Sequence, residues 1–315
     1  MTSVELSGLI AALCWTVSNL LAPRLIAEFG AFRFNTIRIA MASITLLLIT
    51  LIVQSFSPVL WQYSGWLILS GLIGIFIGDT CLFSAFARLG PRRTGVLFAT
   101  NAPMAIVLAW FVFDETLSPI ELFACGLVTL GAVIAILYGK RKNTQANSKA
   151  AQLETTHGNV YFGIGLALIA AFCQVAGALL SKPALLQGAD PIAVSAIRVS
   201  SAACALLCAY GYHVWRQQRK AISTSAPNML KPLKNITFSS YCGVFAMAFL
   251  GMVVGMSVLV WGIGHGNVGI VTTLSATVPV LILPALWLTT GQRPAIGAWL
   301  GAILVVTGAA LIALF

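Results

Sequence analysis

The stretch Ile10-Ala-Ala-Leu-Cys14 lies in the first long apolar run of the chain and recurs, with one change, as Ile169-Ala-Ala-Phe-Cys173. Three further matches follow in the same order, and they are Ile37-Arg38 with Ile197-Arg198, Gly74-x-x-x-Gly78 with Gly251-x-x-x-Gly255, and Pro103 with Pro279. The offset stays between 159 and 177 residues. Four matches in one order are hard to obtain by chance. The chain therefore consists of two related halves.

The composition indicates the solvent in which these halves fold. Of the 315 residues, 59% are hydrophobic and 8% are charged, whereas charged residues make up about 25% of an ordinary soluble domain. The mean hydropathy is +0.95. A soluble protein could not bury so much apolar surface, and a disordered chain has low hydrophobicity. The sequence therefore predicts an all-α integral membrane protein.

Ten long apolar runs are each bounded by charged residues, proline or glycine. A spanning helix needs about 20 residues, so ten of them leave too few residues for a catalytic domain outside the membrane. Interior prolines, Pro103, Pro279 and Pro284, are expected to kink their spans without ending them, because neighbouring helices can bind the freed carbonyl groups. The predicted helices are Val4–Ala22, Phe34–Val53, Ser64–Ala87, Thr94–Phe113, Pro119–Gly139, Val160–Ser181, Pro191–Tyr212, Tyr241–Gly264, Val268–Thr290 and Ala295–Phe315.

The polar linker 140–159 divides the chain into a first five-helix half, residues 1–139, and a second, residues 160–315. Because five is odd, the halves must enter the membrane in opposite directions. We therefore predict ten transmembrane helices as two inverted five-helix repeats, an architecture in which transporters bind substrate at the repeat interface near the bilayer midplane. We expect the first, third, fourth, sixth, eighth and ninth spans to line the central cavity.

Basic residues cluster on one side of the predicted membrane. Fifteen of the 18 Lys and Arg residues lie in the first, third, fifth, seventh and ninth connections between spans. We call this side the basic face and the other side the opposite face, which has only Lys182. By the positive-inside rule the basic face is cytoplasmic, so both termini are predicted to lie outside an inner membrane.

The two halves, each ending in a Gly-rich fifth helix, resemble the EamA family of the drug/metabolite transporter superfamily. In the first half, Asp114-Glu115 before Gly126 and Gly131 is similar to the family's acidic residue before a Gly-spaced helix. The second half has Thr290-Gly291-Gln292 at this place, without an acid. The likeness covers essentially the whole chain.

The junction Gly264-His265-Gly266-Asn267 is similar to the eighth–ninth junction of the family's aromatic amino acid exporters. The resemblance implies a carrier that exports a small organic metabolite such as an amino acid. Most family members are drawn with cytoplasmic termini, whereas the charge count predicts the reverse. We keep the charge count because it is a physical bias of this chain.

Asp79, Arg38 and Arg198 lie more than one helical turn inside their predicted spans, where charge is costly and usually faces a cavity or a partner. Asp79 is the candidate for proton coupling, because a carboxyl group in low dielectric readily gains a proton. A structural ion pair with Arg38 is the alternative. Arg38 and Arg198 occupy matching positions and are candidate ligands for a substrate carboxylate, which suits the guanidinium fork. Snorkelling of both side chains to the membrane surface is the alternative.

Polar and aromatic residues within other spans are candidate substrate contacts, although packing between helices explains them equally well. They are Trp15, Asn19, Asn101, Gln174, Trp261 and Thr277. Gly71, Gly74 and Gly78 are expected to let helices approach closely. Asp114 and Glu115 lie at a span end on the opposite face, where a solvated pair is the simplest interpretation and an anchor or gate the alternative.

The sequence argues against an enzyme, because the spans contain no P-loop, Gly-x-Ser-x-Gly motif or paired acid/base carboxylates. No metal site or cofactor is predicted, since the three His residues are scattered and the seven Cys residues form no Cys-x-x-Cys pair. Membrane orientation explains the net charge of +10 better than nucleic-acid binding does. The expected partners are a small-molecule substrate and membrane lipid, and the protein is expected to be a monomer or homodimer.

These observations favour a secondary carrier that works by alternating access, with possible proton coupling at Asp79. One alternative is a multidrug or amphiphile exporter, whose cavity would be mainly aromatic. A second alternative, from a different class, is a membrane scaffold without transport activity.

Overall fold

The structure is a computed structural model, and it describes residues 3–138, 159–224, 236–278, 280–281 and 296–314. Within these ranges the regular elements are all helices. Seven helices are long and apolar enough to cross a membrane, and two shorter apolar helices cover Pro119–Ala135 and Ile296–Ile312. The prediction of an all-α membrane fold is confirmed.

The first half contains, in chain order, Ser3–Phe29, Ala31–Val53, the short Pro58–Gln62, Ser64–Gly71, the π-helix Leu72–Ile77, Gly78–Phe98, Asn101–Phe113 and Pro119–Tyr138. The second half contains Val160–Leu186, Pro191–Thr224, Phe238–Met247, the π-helix Ala248–Gly255, Met256–His265, Val268–Ser275 and Ile296–Leu314. We number the spans one to ten in the order predicted above. The end of the predicted ninth helix, including Pro279 and Pro284, lies outside the described residues.

The pattern of helix contacts relates the two halves by a pseudo-two-fold axis. The fifth span packs against the tenth, the second against the seventh, and the fourth against the ninth. The third span packs against the sixth just as the eighth packs against the first. Exchanging the halves leaves this pattern unchanged, which is the arrangement of two inverted five-helix repeats.

Close helix crossings depend on glycine and serine. A Cβ atom on Gly177 of the sixth span would lie 2.6 Å from the Cα of Gly74 in the third span. Next to this contact, Ser70 Oγ donates a 2.5 Å hydrogen bond to the Gly177 carbonyl. At the matching crossing, Ser18 Oγ donates to the Met247 carbonyl at 3.2 Å. The predicted close approach at the glycines is confirmed for Gly74.

The third and eighth spans each contain a π-helical segment at the matching glycines, Leu72–Ile77 and Ala248–Gly255. A helix was predicted at both places, without a distinction between α-helix and π-helix. The spacing of apolar residues does not reveal the wider turn of a π-helix. Short π-helical segments of this kind are frequent at functional sites.

Three helices continue well beyond their predicted ends. One of them, Gly78–Phe98, runs past the predicted end of the third span at Ala87 and through the predicted third–fourth connection. The first span extends to Phe29, where Gly30 follows with a φ of 80°. The seventh extends to Thr224, through a segment that we predicted to be a loop. Hydropathy marks where a chain leaves the membrane, but straight-chain residues such as Arg, Gln and Lys favour helix in water as well. The predicted ends were therefore wrong.

The fourth span is interrupted at Ala99 and Thr100, one turn before Pro103. Proline has no N–H for the Ala99 carbonyl, which instead accepts a 3.4 Å hydrogen bond from the Ala102 N–H. The ninth span is interrupted at the matching Ala276 and Thr277. The hydrogen-bond ladder tightens to a three-residue turn at both places. The fourth span nevertheless continues from Arg93 to Phe113, so the expectation that Pro103 would not end its span is confirmed.

Candidate functional site

In the first half, Arg38 of the second span pairs with Asp79 of the third. Arg38 Nη2 donates to Asp79 Oδ2 at 2.5 Å and to Asn35 Oδ1 at 2.9 Å. The guanidinium lies 5.1 Å from the centroid of the Phe83 ring. Arg38 and Asp79 are both buried, so each charge compensates the other in a medium of low dielectric.

In the second half, the matching arginine has no acid beside it. Arg198 is 2% exposed, and among the described residues no carboxylate lies within salt-bridge distance of it. Its Nη1 atom donates to the Met256 sulfur at 3.9 Å, and its Nε atom has no hydrogen-bond partner among the described residues. Met256 stands at the position of Asp79 in the repeat.

The residue three positions before each arginine is also polar and buried. Asn35 precedes Arg38, and Ser195 precedes Arg198. Asn35 Nδ2 and Ser195 Oγ are both buried without a hydrogen-bond partner. Each half therefore has a matching group of three residues, and only the group in the first half contains a carboxylate.

The two arginines contact different parts of the third span. The Arg198 guanidinium lies beside Gly74, since a Cβ atom built on this glycine would be 3.7 Å from Nη2. Arg38 is instead hydrogen-bonded to Asp79. Five residues of helix separate these positions by about 7.5 Å. The structure therefore places the two predicted carboxylate ligands in separate sites along one helix.

A cavity of about 130 Å³ borders the first-half group near the basic face. Its polar lining residues are Asn35, Thr80, Ser84 and Arg88. This volume holds several water molecules. Because Asn35 both lines the cavity and accepts a hydrogen bond from Arg38, the cavity extends to within one residue of the Arg38–Asp79 pair.

A second cavity, of about 220 Å³, is apolar and lies between the third–fourth connection, the start of the fourth span, the end of the fifth and the start of the sixth. Both cavities are on the basic side of the described residues. The six spans predicted to line a central cavity contact one another through the first–eighth, first–ninth, third–sixth, fourth–sixth, fourth–ninth and sixth–eighth pairs. Five of them, the first, ninth, fourth, sixth and eighth, thus form a ring of neighbouring helices.

Several predicted substrate contacts use their polar atoms in the helix scaffold. Trp15 Nε1 donates to the Gly251 carbonyl at 2.8 Å, and Thr277 Oγ1 donates to the Leu274 carbonyl at 2.8 Å. Trp261 stacks on His265 with ring centroids 4.6 Å apart, at the end of the eighth span on the opposite face. Gln174, which matches Trp15 in the repeat, is half-buried.

Two predicted residues, Asn19 and Asn101, are in positions that suit a ligand. Asn101 is 7% exposed, and its Oδ1 atom has no hydrogen-bond partner. Asn19 lies three residues after the buried Thr16, on the face away from the exposed Leu13 and Val17, yet it is exposed. An exposed amide on an inward helix face indicates an opening between helices on the basic side.

Glu115 and Lys182 form a part-buried ion pair at the opposite face. Their side chains are 13% and 7% exposed. Lys182 also donates to the Gly266 carbonyl at 3.1 Å, and Glu115 Oε2 accepts from the Val268 N–H at 2.9 Å, at the start of the ninth-span helix. The interpretation of Glu115 as part of a solvated pair was wrong. The ion pair joins the first half to two elements of the second half.

At the basic face, a weaker contact joins the first half to the second half. Glu28 Oε2 accepts a 2.6 Å hydrogen bond from Ser240 Oγ, and Glu28 Oε1 accepts one from Arg24 at 2.9 Å. The Ser240 bond, followed by that of Arg24, lowers the pKa of Glu28 below its ordinary value. Arg24 is 71% exposed, and exposed ion pairs contribute little to stability.

Sequence reasoning missed Asn35 and Ser195 as functional candidates. A signal was present in the repeat, since the stretches Asn35-Thr-Ile-Arg38 and Ser195-Ala-Ile-Arg198 align. A polar residue three positions before a buried arginine shares its helix face. The Glu115–Lys182 pair had no such signal, because 67 residues separate its members.

Comparison with known proteins identifies the family. A model of the EamA-like transporter family matches residues 2–137 and again residues 161–314. A solved crystal structure superposes with a TM-score of 0.70 at 19% sequence identity, covering 99% of this chain and 96% of that one. This structural likeness indicates the same fold.

Curated relatives match part of the chain. The threonine/homoserine exporter RhtA of Escherichia coli (strain K12) is 28% identical over 162 residues, which are 49% of this chain and 52% of that protein. RhtA of Escherichia coli O157:H7 matches equally. The chain thus spans about half the length of the curated relatives it matches. The two family matches cover most of the chain, which therefore belongs to the EamA-like transporter family of the drug/metabolite transporter superfamily.

Proposed function

We propose that this protein is a secondary-active carrier that exports a small organic metabolite by alternating access, with Asp79 as the group that exchanges a proton. The observation behind this proposal is the buried Arg38–Asp79 pair beside a polar cavity. Ionisable residues inside the membrane are costly, and they usually mark substrate or proton pathways.

Protonation of Asp79 supplies a means of coupling. The carboxylate compensates Arg38 at 2.5 Å, so a proton on Asp79 would leave the arginine as an uncompensated buried cation. Removing one partner of a buried pair costs about 3–5 kcal/mol, which is enough to favour a different arrangement of the second and third spans. The cavity lined by Asn35 and Thr80 would supply water from the basic face.

The two ends of the bundle suit an alternating mechanism. The part-buried Glu115–Lys182 ion pair joins the two halves at the opposite face, whereas at the basic face Glu28, whose side chain is 30% exposed, accepts a hydrogen bond from the uncharged Ser240 hydroxyl. We propose that the described conformation is closed at the opposite face, and that transport requires the Glu115–Lys182 pair to separate. We also propose that the basic face is cytoplasmic in an inner membrane, with both termini outside.

The substrate class is proposed from the relatives. RhtA is by name an exporter of threonine and homoserine, so small polar amino acids are the first candidates for this chain. We propose that the substrate contacts residues of the central spans, drawn from Trp15, Asn19, Arg38, Asn101, Gln174, Arg198, Trp261 and Thr277. Asn19 and Asn101 have the polar atoms most available for it.

The test is flux of radiolabelled L-threonine and L-homoserine from proteoliposomes, with and without a pH gradient. We expect Asp79→Asn to abolish the flux driven by the gradient and to leave exchange partly intact. Asp114→Asn is the matched control, because Asp114 is exposed and has a φ of 52° that asparagine tolerates. Undiminished driven flux in Asp79→Asn would contradict proton coupling, and no movement of a broad amino acid panel would contradict the carrier.

A further inference from the structure

The group around Arg198 matches the group around Arg38, except that within the described residues it contains no carboxylate. In the first half, Asn35, Arg38 and Asp79 form a chain of hydrogen bonds. In the second half, Ser195 and Arg198 keep the first two positions, and Met256 replaces the acid. The two-fold relation of the halves makes the first group a template for the second.

Within the part of the chain that the structure describes, no acidic side chain compensates the charge of the second group. Arg198 is 2% exposed and Ser195 is 0% exposed, and Arg198 Nε and Ser195 Oγ are buried without a hydrogen-bond partner. A buried cation without a counter-charge is strongly unfavourable. A thioether sulfur at 3.9 Å is a weak acceptor and has no charge.

From these observations we infer that Arg198 binds the carboxylate of the transported substrate, in the place that the Asp79 carboxylate occupies in the first half, and that Ser195 orients the guanidinium as Asn35 does that of Arg38. This inference rests on the proposed function and narrows its substrate to a small carboxylic acid such as an amino acid. The guanidinium presents two parallel N–H donors, which match the two oxygens of one carboxylate.

The surrounding residues allow a carboxylate to enter when the bundle opens. The Met256 side chain is unbranched and flexible, so it can leave the guanidinium without a change in the backbone. Gly74 and Gly71 present no side chain to this region, and a Cβ atom on Gly71 would lie 2.1 Å from the Arg198 carbonyl. In the closed conformation the methionine therefore occupies the place of the ligand.

Restoring the missing acid tests the inference. Met256→Asp supplies an internal carboxylate to Arg198, and Met256→Asn supplies a side chain of the same size without charge. We expect acetate, compared with chloride at equal ionic strength, to raise the melting temperature of the detergent-solubilised wild type and of Met256→Asn. We expect no such rise in Met256→Asp. Equal responses to acetate in the two variants, or none in the wild type, would overturn the inference.

A flux measurement separates this inference from the proposed function. We expect the KM for L-threonine to be at least about tenfold higher in Met256→Asp than in Met256→Asn, a difference of about 1.4 kcal/mol. L-threonine methyl ester, which lacks the carboxylate, should not compete. If L-threonine moves equally well in both variants, Arg198 does not bind the substrate carboxylate, but the protein is still a carrier. If acetate stabilises Met256→Asn but not Met256→Asp, and no amino acid is transported, Arg198 binds carboxylates but the proposed transport function is wrong.

Discussion

Arg38 and Arg198 occupy matching positions in the two halves, but their surroundings differ in one decisive residue. Asp79 compensates Arg38 at 2.5 Å, whereas Met256 leaves Arg198 without a counter-charge among the described residues. The backbone of the repeat is preserved on both sides, including the π-helical segments. The difference teaches that a duplicated fold can keep its architecture while one half becomes a salt-bridged element and the other retains a free buried cation.

The largest expected effect comes from removing each arginine, because the expected changes in protein stability have opposite signs in the two halves. Arg38→Met should destabilise the protein by about 3–5 kcal/mol, because it leaves Asp79 buried and unpaired. Arg198→Met should be neutral or stabilising in the absence of substrate, because it removes a buried charge that has no partner. Thermal or denaturant unfolding of the purified protein in detergent measures both effects.

Two further variants show whether the changes in stability come from the buried charges. The double variant Arg38→Met/Asp79→Leu should recover most of the stability lost in Arg38→Met, since it removes both charges together. Met256→Leu is the control for packing around Arg198. Losses of equal size in Arg38→Met and Arg198→Met would contradict the difference that we describe between the two arginines.

The helix crossings give a smaller contrast. Gly177→Ala should destabilise the protein by about 1–3 kcal/mol through overpacking, because its Cβ atom would lie 2.6 Å from the Cα of Gly74. At the matching crossing, Gly251→Ala should cost less, because its nearest contact is the Ser18 hydroxyl at 3.0 Å, which can rotate. Unfolding measurements on the two variants compare the crossings, and a larger loss in Gly251→Ala would contradict the contact geometry.

The smallest expected effect belongs to the two serine hydroxyls at these crossings. Ser70→Ala removes the bond to the Gly177 carbonyl, and Ser18→Ala removes the bond to the Met247 carbonyl. Each should cost about 0.6 kcal/mol, the average for such bonds between membrane helices. The same unfolding assay applies. A loss of several kcal/mol from only one of them would mean that the crossings are not equivalent.

Much of the fold was predictable because its signals are local. Apolar runs of spanning length, interrupted by charge and glycine, predicted the helices, and the matched stretches at Cys14 and Cys173 predicted the repeat. The helix ends at Phe29 and Thr224 were not predictable from hydropathy, because a helix can continue in water. The interruption at Thr100 depends on which carbonyl group the proline leaves without a partner.

The candidate site was predictable only in part. Asp79, Arg38 and Arg198 stand out in any apolar segment because charge is rare there. The sequence did not determine which residues these side chains contact. The ion pair between Arg38 and Asp79, one of the two alternatives, joins residues 41 positions apart in sequence. Glu115 was interpreted as solvated because its partner, Lys182, lies beyond the linker on a different half.

The sequence by itself determined the membrane as solvent, the helical class and the two related halves, because burial of apolar surface and backbone hydrogen bonding in lipid leave few other solutions. Only the tertiary structure decided which charges meet. Position along a helix is a local property that the order of residues encodes directly. Compensation of a buried charge depends on the distance between atoms on separate helices, and that distance exists only after the spans have packed.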